Sequence, residues 1–197
     1  MAAAQTGTGK TAAFSLPCLH KIDPESSDTQ VLILSPTREL ALQTAKEIKK
    51  FAKKMPYLKS VALYGGADYG SQSRALSKGC QVVVGTPGRT LDFIRQNRLD
   101  LSAVRMVVLD EADEMLKMGF KEDLEAILDE TPKEKQVLLF SATMPKGIEK
   151  IAKRTMMEPH RIAVASRNQA NRNVTHQYCV IHPADRFAAL RRWVDVL

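Results

Sequence analysis

Short β-branched runs that each stop in a cluster of Gly, Ser, Thr, Pro, Arg or Asp constrain this chain more than any other feature. Val31–Leu34 runs into Ser35-Pro36-Thr37-Arg38, Val61–Tyr64 into Gly65-Gly66, and Val82–Val84 into Gly85-Thr86-Pro87-Gly88-Arg89. Val104–Leu109 runs into Asp110-Glu111-Ala112-Asp113, and Val137–Phe140 into Ser141-Ala142-Thr143. Continuous apolar runs of this length suit strands of a parallel sheet covered on both faces. Arg161–Val164 reads as a sixth strand.

Helical stripes lie between the runs. Ala41, Thr44, Ala45, Ile48 and Phe51 recur at helical spacing, as do Phe120, Leu124, Ile127 and Leu128, and then Ile148, Ile151 and Ala152. Strand–helix alternation predicts a doubly wound α/β domain, mostly parallel, with helices on both faces. In such sheets ligands bind outside the carboxyl ends of the strands, so the five polar clusters are expected to converge on one edge.

Composition sets the outer limits. A chain of 197 residues that is 44% hydrophobic can bury one good core and part of a second. The first domain is expected over residues 1–165 and a polar, aperiodic linker over 166–173. Residues 174–197, with a strand at Val174–Ile181 and a helix at Arg186–Leu197, read as the start of a second domain. No run approaches the roughly 18 apolar residues of a membrane span. Cys18, Cys80 and Cys179 are odd in number and far apart, which argues against a disulfide framework and for a reducing, cytoplasmic compartment. A net charge of +7 suits a polyanionic partner.

Two segments carry phosphate chemistry. In Ala4-Gln5-Thr6-Gly7-Thr8-Gly9-Lys10-Thr11 the glycines let backbone N–H groups curl around phosphates. Lys10 can reach the β and γ oxygens, and the Thr11 hydroxyl is placed to ligate Mg²⁺. A Gly-Lys-Thr/Ser core alone arises by chance in about one chain in ten of this size, so it needs its complement. Asp110 and Glu111 supply it: one carboxylate holds the Mg²⁺ shell and the other orients the attacking water. Lys10, Asp110 and Glu111 are therefore the expected catalytic set.

Taken in order, Ala4–Thr11, Pro36-Thr37-Arg38-Glu39-Leu40-Ala41, Gly65-Gly66, Thr86-Pro87-Gly88-Arg89, Asp110–Asp113 and Ser141-Ala142-Thr143 resemble the first RecA-like domain of the DEAD-box ATP-dependent RNA helicases, in detail the bacterial type. The resemblance covers residues 1 to about 165, and the remainder resembles the start of the second RecA-like domain. It implies a RecA-like P-loop fold, with ATP and Mg²⁺ bound by Thr6, Gly7, Thr8, Gly9, Lys10, Thr11, Asp110 and Glu111. It implies RNA-backbone contacts from Pro36, Thr37, Arg38, Gly65, Gly66, Thr86, Gly88 and Arg89, largely independent of sequence. Asp113, Ser141 and Thr143 would couple the nucleotide site to RNA binding.

The same resemblance implies elements that these 197 residues do not carry: an upstream segment with an adenine-reading glutamine, and the second domain's arginine fingers. Such a finger is worth about 10³–10⁵ in rate, so the isolated chain is expected neither to unwind RNA nor to hydrolyse ATP at a useful rate. The strand feeding the phosphate loop is cut to almost nothing, which suggests marginal stability or association with another chain to complete the sheet. Two other classes fit the same residues: a P-loop ATPase acting on DNA, and a non-catalytic RNA- or protein-binding fragment. His176, Cys179 and His182 look like a metal set but lack a fourth ligand, and on a strand Cys179 faces away from both histidines. Met115, Met118 and Trp193 read as packing residues.

Overall fold

The computed structural model describes residues 1–3, 9–163 and 178–196. Residues 1–165 form one compact unit and residues 166–197 a second.

In the first unit the strands are β1 Ala2–Ala3, β2 Val31–Leu34, β3 Ser60–Leu63, β4 Val82–Gly85, β5 Met106–Leu109, β6 Gln136–Ser141 and β7 Ile162–Ala163. They form one sheet in the order β3-β4-β2-β5-β6-β1-β7, and each described pair is parallel. The helices are α1 Lys10–His20, α2 Arg38–Phe51, α3 Tyr69–Leu76, α4 Pro87–Arg95, α5 Ala112–Lys117, α6 Lys121–Asp129 and α7 Lys146–Thr155.

β2, β4 and β5 are buried along their whole length, as continuous apolar runs require. Successive side chains alternate between two cores. Leu32, Leu34, Val83, Val107 and Leu109 pack on one face with Phe93 of α4, Met115 of α5, Leu124 and Ile127 of α6, and Ile148 of α7. Val31, Ile33, Val82, Val84, Met106 and Val108 pack on the other with Phe14 of α1 and Ala41, Ala45 and Ile48 of α2. Each fully buried Leu, Ile or Phe contributes about 1.5–3 kcal/mol, which is why a pattern of this kind determines the layer order.

Register levels the strand ends. Leu34 pairs with both Gly85 and Leu109, Leu63 with Gly85, and Leu109 with Leu139. The residues that follow therefore leave the sheet in one row, and the five clusters do share one edge. Ala3 pairs with Ser141, so β1 also ends at that row. β1 borders only Phe140 and Ser141 of β6, which begins at Gln136. The loop-feeding strand is thus short, but it occupies a place between β6 and β7. A cavity of about 340 Å³ lies at the opposite, amino-terminal end of the strands, between Cys18, Ile22, Val31 and Met106. It contains none of the expected site residues.

Several elements differ from the sequence reading. Val104 is buried but precedes β5, its N–H bonded to the Leu101 carbonyl. Thr86-Pro87, part of a polar cluster in the sequence, opens α4 with Pro87 in its first turn, where a missing N–H costs nothing. Met115 is fully buried as expected, whereas Met118 is half exposed.

The second unit holds a 3₁₀ turn, Pro183–Asp185, and α8, Arg186–Val196. Residues 178–181 are not a strand, while 174–177 and the expected linker 166–173 lie outside the described residues. The Trp193 Nε1–H donates to Cys179 Sγ at 3.3 Å, and the ring is more than one-third exposed. All three cysteines are free. Burial pushes the Cys18 and Cys80 thiols up to about 12 and about 11, which makes them inert packing groups. His176 lies outside the described residues, among which no group of three metal-ligating side chains occurs.

Candidate functional site

Gly9 sits at the N-cap of α1 with φ +83°, a left-handed conformation that a glycine adopts freely, and its carbonyl accepts from Ala13 N–H. The chain thus enters a helix at Lys10. Thr11 lies partly buried in the first turn, while Thr6, Gly7 and Thr8 fall outside the described residues. Lys10 Nζ stands 3.8 Å from Asp110 Oδ1 and 3.9 Å from Glu111 Oε1. These are ion-pair distances too long for hydrogen bonds, so the lysine bridges both carboxylates loosely.

Asp110 is placed by the sheet: its N–H donates to the Leu34 carbonyl, extending the β5–β2 ladder by one residue. Burial pushes its carboxyl above the ordinary value; Lys10 opposes that shift and Glu111 reinforces it. Asp110 Oδ1 is buried with no hydrogen-bond partner. An anionic oxygen left without a donor suits a hard divalent cation, for which carboxylate and hydroxyl oxygens are the preferred ligands. Asp110 and Thr11 supply that donor chemistry.

Glu111 adopts φ 52°, ψ 50°, a left-handed conformation costing about 1–3 kcal/mol for a residue with a Cβ. Its carbonyl accepts from the N–H groups of Glu114 and Met115. The turn converts strand to helix in one residue and leaves both carboxylates within reach of one lysine.

Asp113, one turn further and buried, faces the end of β6. Its Oδ2 accepts from Thr143 N–H at 3.0 Å and from Thr143 Oγ1 at 2.6 Å. Its own N–H donates to Ser141 Oγ, which donates to the Thr143 carbonyl. Burial would raise the Asp113 carboxyl, but hydrogen bonds led by that of the Thr143 hydroxyl outweigh it, and the net shift is downward.

The remaining clusters line the same edge. Thr37 caps α2, its hydroxyl accepting from Leu40 N–H, while Pro36 is buried and shapes the turn. Arg38 is exposed, with its guanidinium 4.9 Å from the centre of the Tyr64 ring. Gly65 and Gly66 are exposed, and Gly66 has φ +75°. Thr86 and Gly88 flank Pro87 at the start of α4, and the Arg89 guanidinium lies 5.6 Å from the Tyr69 ring centre. Two supporting residues escaped the sequence reading. Gln72 is buried and clamps Tyr64, accepting from its N–H and donating to its carbonyl. Gly85 is needed for space: a Cβ there would collide with Thr90 Oγ1. A lone polar residue on the buried face of α3 was the only available signal for Gln72.

A Gly-Lys-Thr helix start facing a strand that ends in two carboxylates, on an all-parallel sheet, defines a RecA-like P-loop domain. The chain belongs to the DEAD/DEAH box helicase family, which it matches over residues 1–151. It is 48% identical over 193 residues to the ATP-dependent RNA helicase CshA of Listeria monocytogenes, covering 98% of this chain and 37% of that protein. It is 48% identical over 192 residues to the ATP-dependent RNA helicase DeaD of Escherichia coli, covering 98% of this chain and 30% of that one. A DEAD box protein from the hyperthermophile Methanococcus jannaschii is similar in structure, with a TM-score of 0.79 and 43% identity over 98% of this chain and 51% of that chain. The chain spans well under half the length of the curated relatives it matches.

Proposed function

We propose that this chain carries the ATP-binding domain of an ATP-dependent RNA helicase, binding Mg-ATP at the start of α1 and RNA along the row of strand ends. The observation that carries the reading is Lys10 lying within 4 Å of both Asp110 and Glu111.

In this reading Thr6, Gly7, Thr8 and Gly9 supply backbone N–H groups to the phosphates, and Lys10 leaves its carboxylates for the β and γ oxygens. Thr11 and Asp110 hold Mg²⁺, which when bound offsets the charge of the phosphates. Glu111 orients and polarises the attacking water. Pro36, Thr37, Arg38, Gly65, Gly66, Thr86, Gly88 and Arg89 form the RNA edge. Of these, Arg38 and Arg89 pair with phosphates, Gly65 and Gly66 allow close approach, and Pro36 acts from beneath by shaping the turn. Asp113, Ser141 and Thr143 link the two sites, supported by their shared hydrogen bonds.

The domain boundaries fit residues 1–165, a linker at 166–173 and the start of a second RecA-like domain at 174–197; the division into compact units supports the first of these. Turnover in this reading requires the arginine fingers that the family resemblance assigns to that second domain. Three free cysteines, and no membrane-spanning helix among the described residues, support action in the cytoplasm.

Titration with a fluorescent ATP analogue tests the nucleotide site. Lys10→Ala is expected to weaken binding at least about tenfold, the loss of one charge-assisted phosphate contact. Unchanged affinity would refute the assignment.

A further inference from the structure

We infer that Tyr69 and Tyr64 are positioning residues for RNA binding: each holds an arginine of the RNA edge by its ring face, fixing the guanidinium without neutralising it. The inference rests on the reading of Arg38 and Arg89 as phosphate contacts.

Two arginine–tyrosine contacts carry it. Arg74 is paired with Asp68, and Arg154 with Asp129 and Glu125. Among the described residues, neither Arg38 nor Arg89 has a carboxylate within ion-pair distance. Each instead lies over a tyrosine, at 4.9 Å for Arg38 on Tyr64 and 5.6 Å for Arg89 on Tyr69. A carboxylate would hold a guanidinium by cancelling its charge. An aromatic face attracts it through the ring quadrupole and leaves the full positive charge for a third group.

Both rings are themselves held. Tyr69 opens α3, and Phe93 stacks on it with centroids 4.3 Å apart and planes at 3°. Phe93 is fully buried, so the stack is anchored in the core. The Tyr69 hydroxyl donates to Gln96 Oε1 at 2.8 Å. Arg89, Phe93 and Gln96 follow one another at helical spacing along α4 and just beyond its end, so one side of that helix grips one tyrosine. Tyr64 is fixed through its backbone by Gln72. Simple packing of α3 on α4 would account for the Phe93 stack but not for a guanidinium whose Nη1 is buried with no hydrogen-bond partner.

The test measures binding of a single-stranded oligouridylate to the full-length protein by anisotropy at several salt concentrations, together with the RNA KM of its ATPase. Tyr69→Leu is expected to weaken RNA binding about threefold to tenfold, the range of a partly buried cation–π contact. It should also lower the salt slope by up to about 0.7, the share of one phosphate on a single strand. Tyr69→Phe keeps the ring and should stay within about twofold, and the Tyr69→Leu/Arg89→Ala double variant should bind no worse than Arg89→Ala. ATP affinity without RNA should be unchanged in Tyr69→Leu and Tyr69→Phe, which also reports folding. If Leu and Phe behave alike, or the two changes add, the positioning role is overturned. Should Tyr69→Leu not fold, Tyr64→Leu with Arg38→Ala runs the same cycle at the more exposed pair. If Arg38→Ala and Arg89→Ala both bind RNA as the parent does, the RNA-edge reading itself fails, a result distinct from failure of the tyrosines alone.

Discussion

The Thr143 hydroxyl donates to Asp113 Oδ2 at 2.6 Å, joining the second residue beyond β6 to the last residue of the Asp-Glu-Ala-Asp strand end. With the Thr143 N–H on the same oxygen, one carboxylate ties two strand-end clusters that lie 30 residues apart in sequence. A shift of either cluster must break these bonds or carry the other cluster with it.

Thr143→Val should therefore cost stability and RNA coupling together. A hydrogen bond to a charged group contributes about 1.5–3 kcal/mol, so a loss of that order is expected in urea unfolding at pH 7. The Asp113 carboxyl is held below its ordinary value of 3.8, so it binds fewer protons folded than unfolded. Its contribution is fully present above that value and is lost as pH falls through the lower, folded one. The gap between parent and variant should close in that acidic window; a gap independent of pH would contradict the bond.

Asp110 has the opposite sign. Its carboxyl is raised above 3.8, chiefly by burial, so the folded state binds the proton more readily. Its contribution to stability therefore falls as pH rises from that value through the folded one. Asp110→Asn removes a buried charge and should raise the melting temperature of the nucleotide-free protein at pH 7 by a few degrees. A gain of about 1 kcal/mol corresponds to about 2–4 °C in a chain of this size. The same variant should lose Mg²⁺-dependent stabilisation by ATP. Destabilisation without nucleotide would show that the pairing with Lys10 outweighs the burial cost.

Much of this was legible in the residues. β2, β4 and β5 are fully buried on both faces, so their continuous runs had one reading, and register then aligned the clusters that follow them. α3 and α4 were less legible because their N-termini coincide with the polar clusters: Asp68 and Thr86-Pro87 signal caps and turns alike. β1 could not be read from two alanines, since its place depends on pairing with Phe140, Ser141, Ile162 and Ala163. Within the site, Lys10, Asp110 and Glu111 were evident from motif chemistry. The left-handed turn at Glu111 and the two tyrosine–arginine pairs were not, because backbone strain and ring placement are tertiary outcomes with no periodicity in sequence.

RNA-stimulated ATP hydrolysis by the full-length protein, parent against Glu111→Gln, tests the central claim most directly. Gln keeps the size of the side chain but cannot act as a base, and general base contributions run to about 10²–10⁴-fold. The expected result is a fall in kcat of at least about 100-fold with ATP and RNA affinity retained. A Glu111→Gln protein that hydrolyses ATP within about threefold of the parent would contradict the assignment of this strand end as the hydrolytic site.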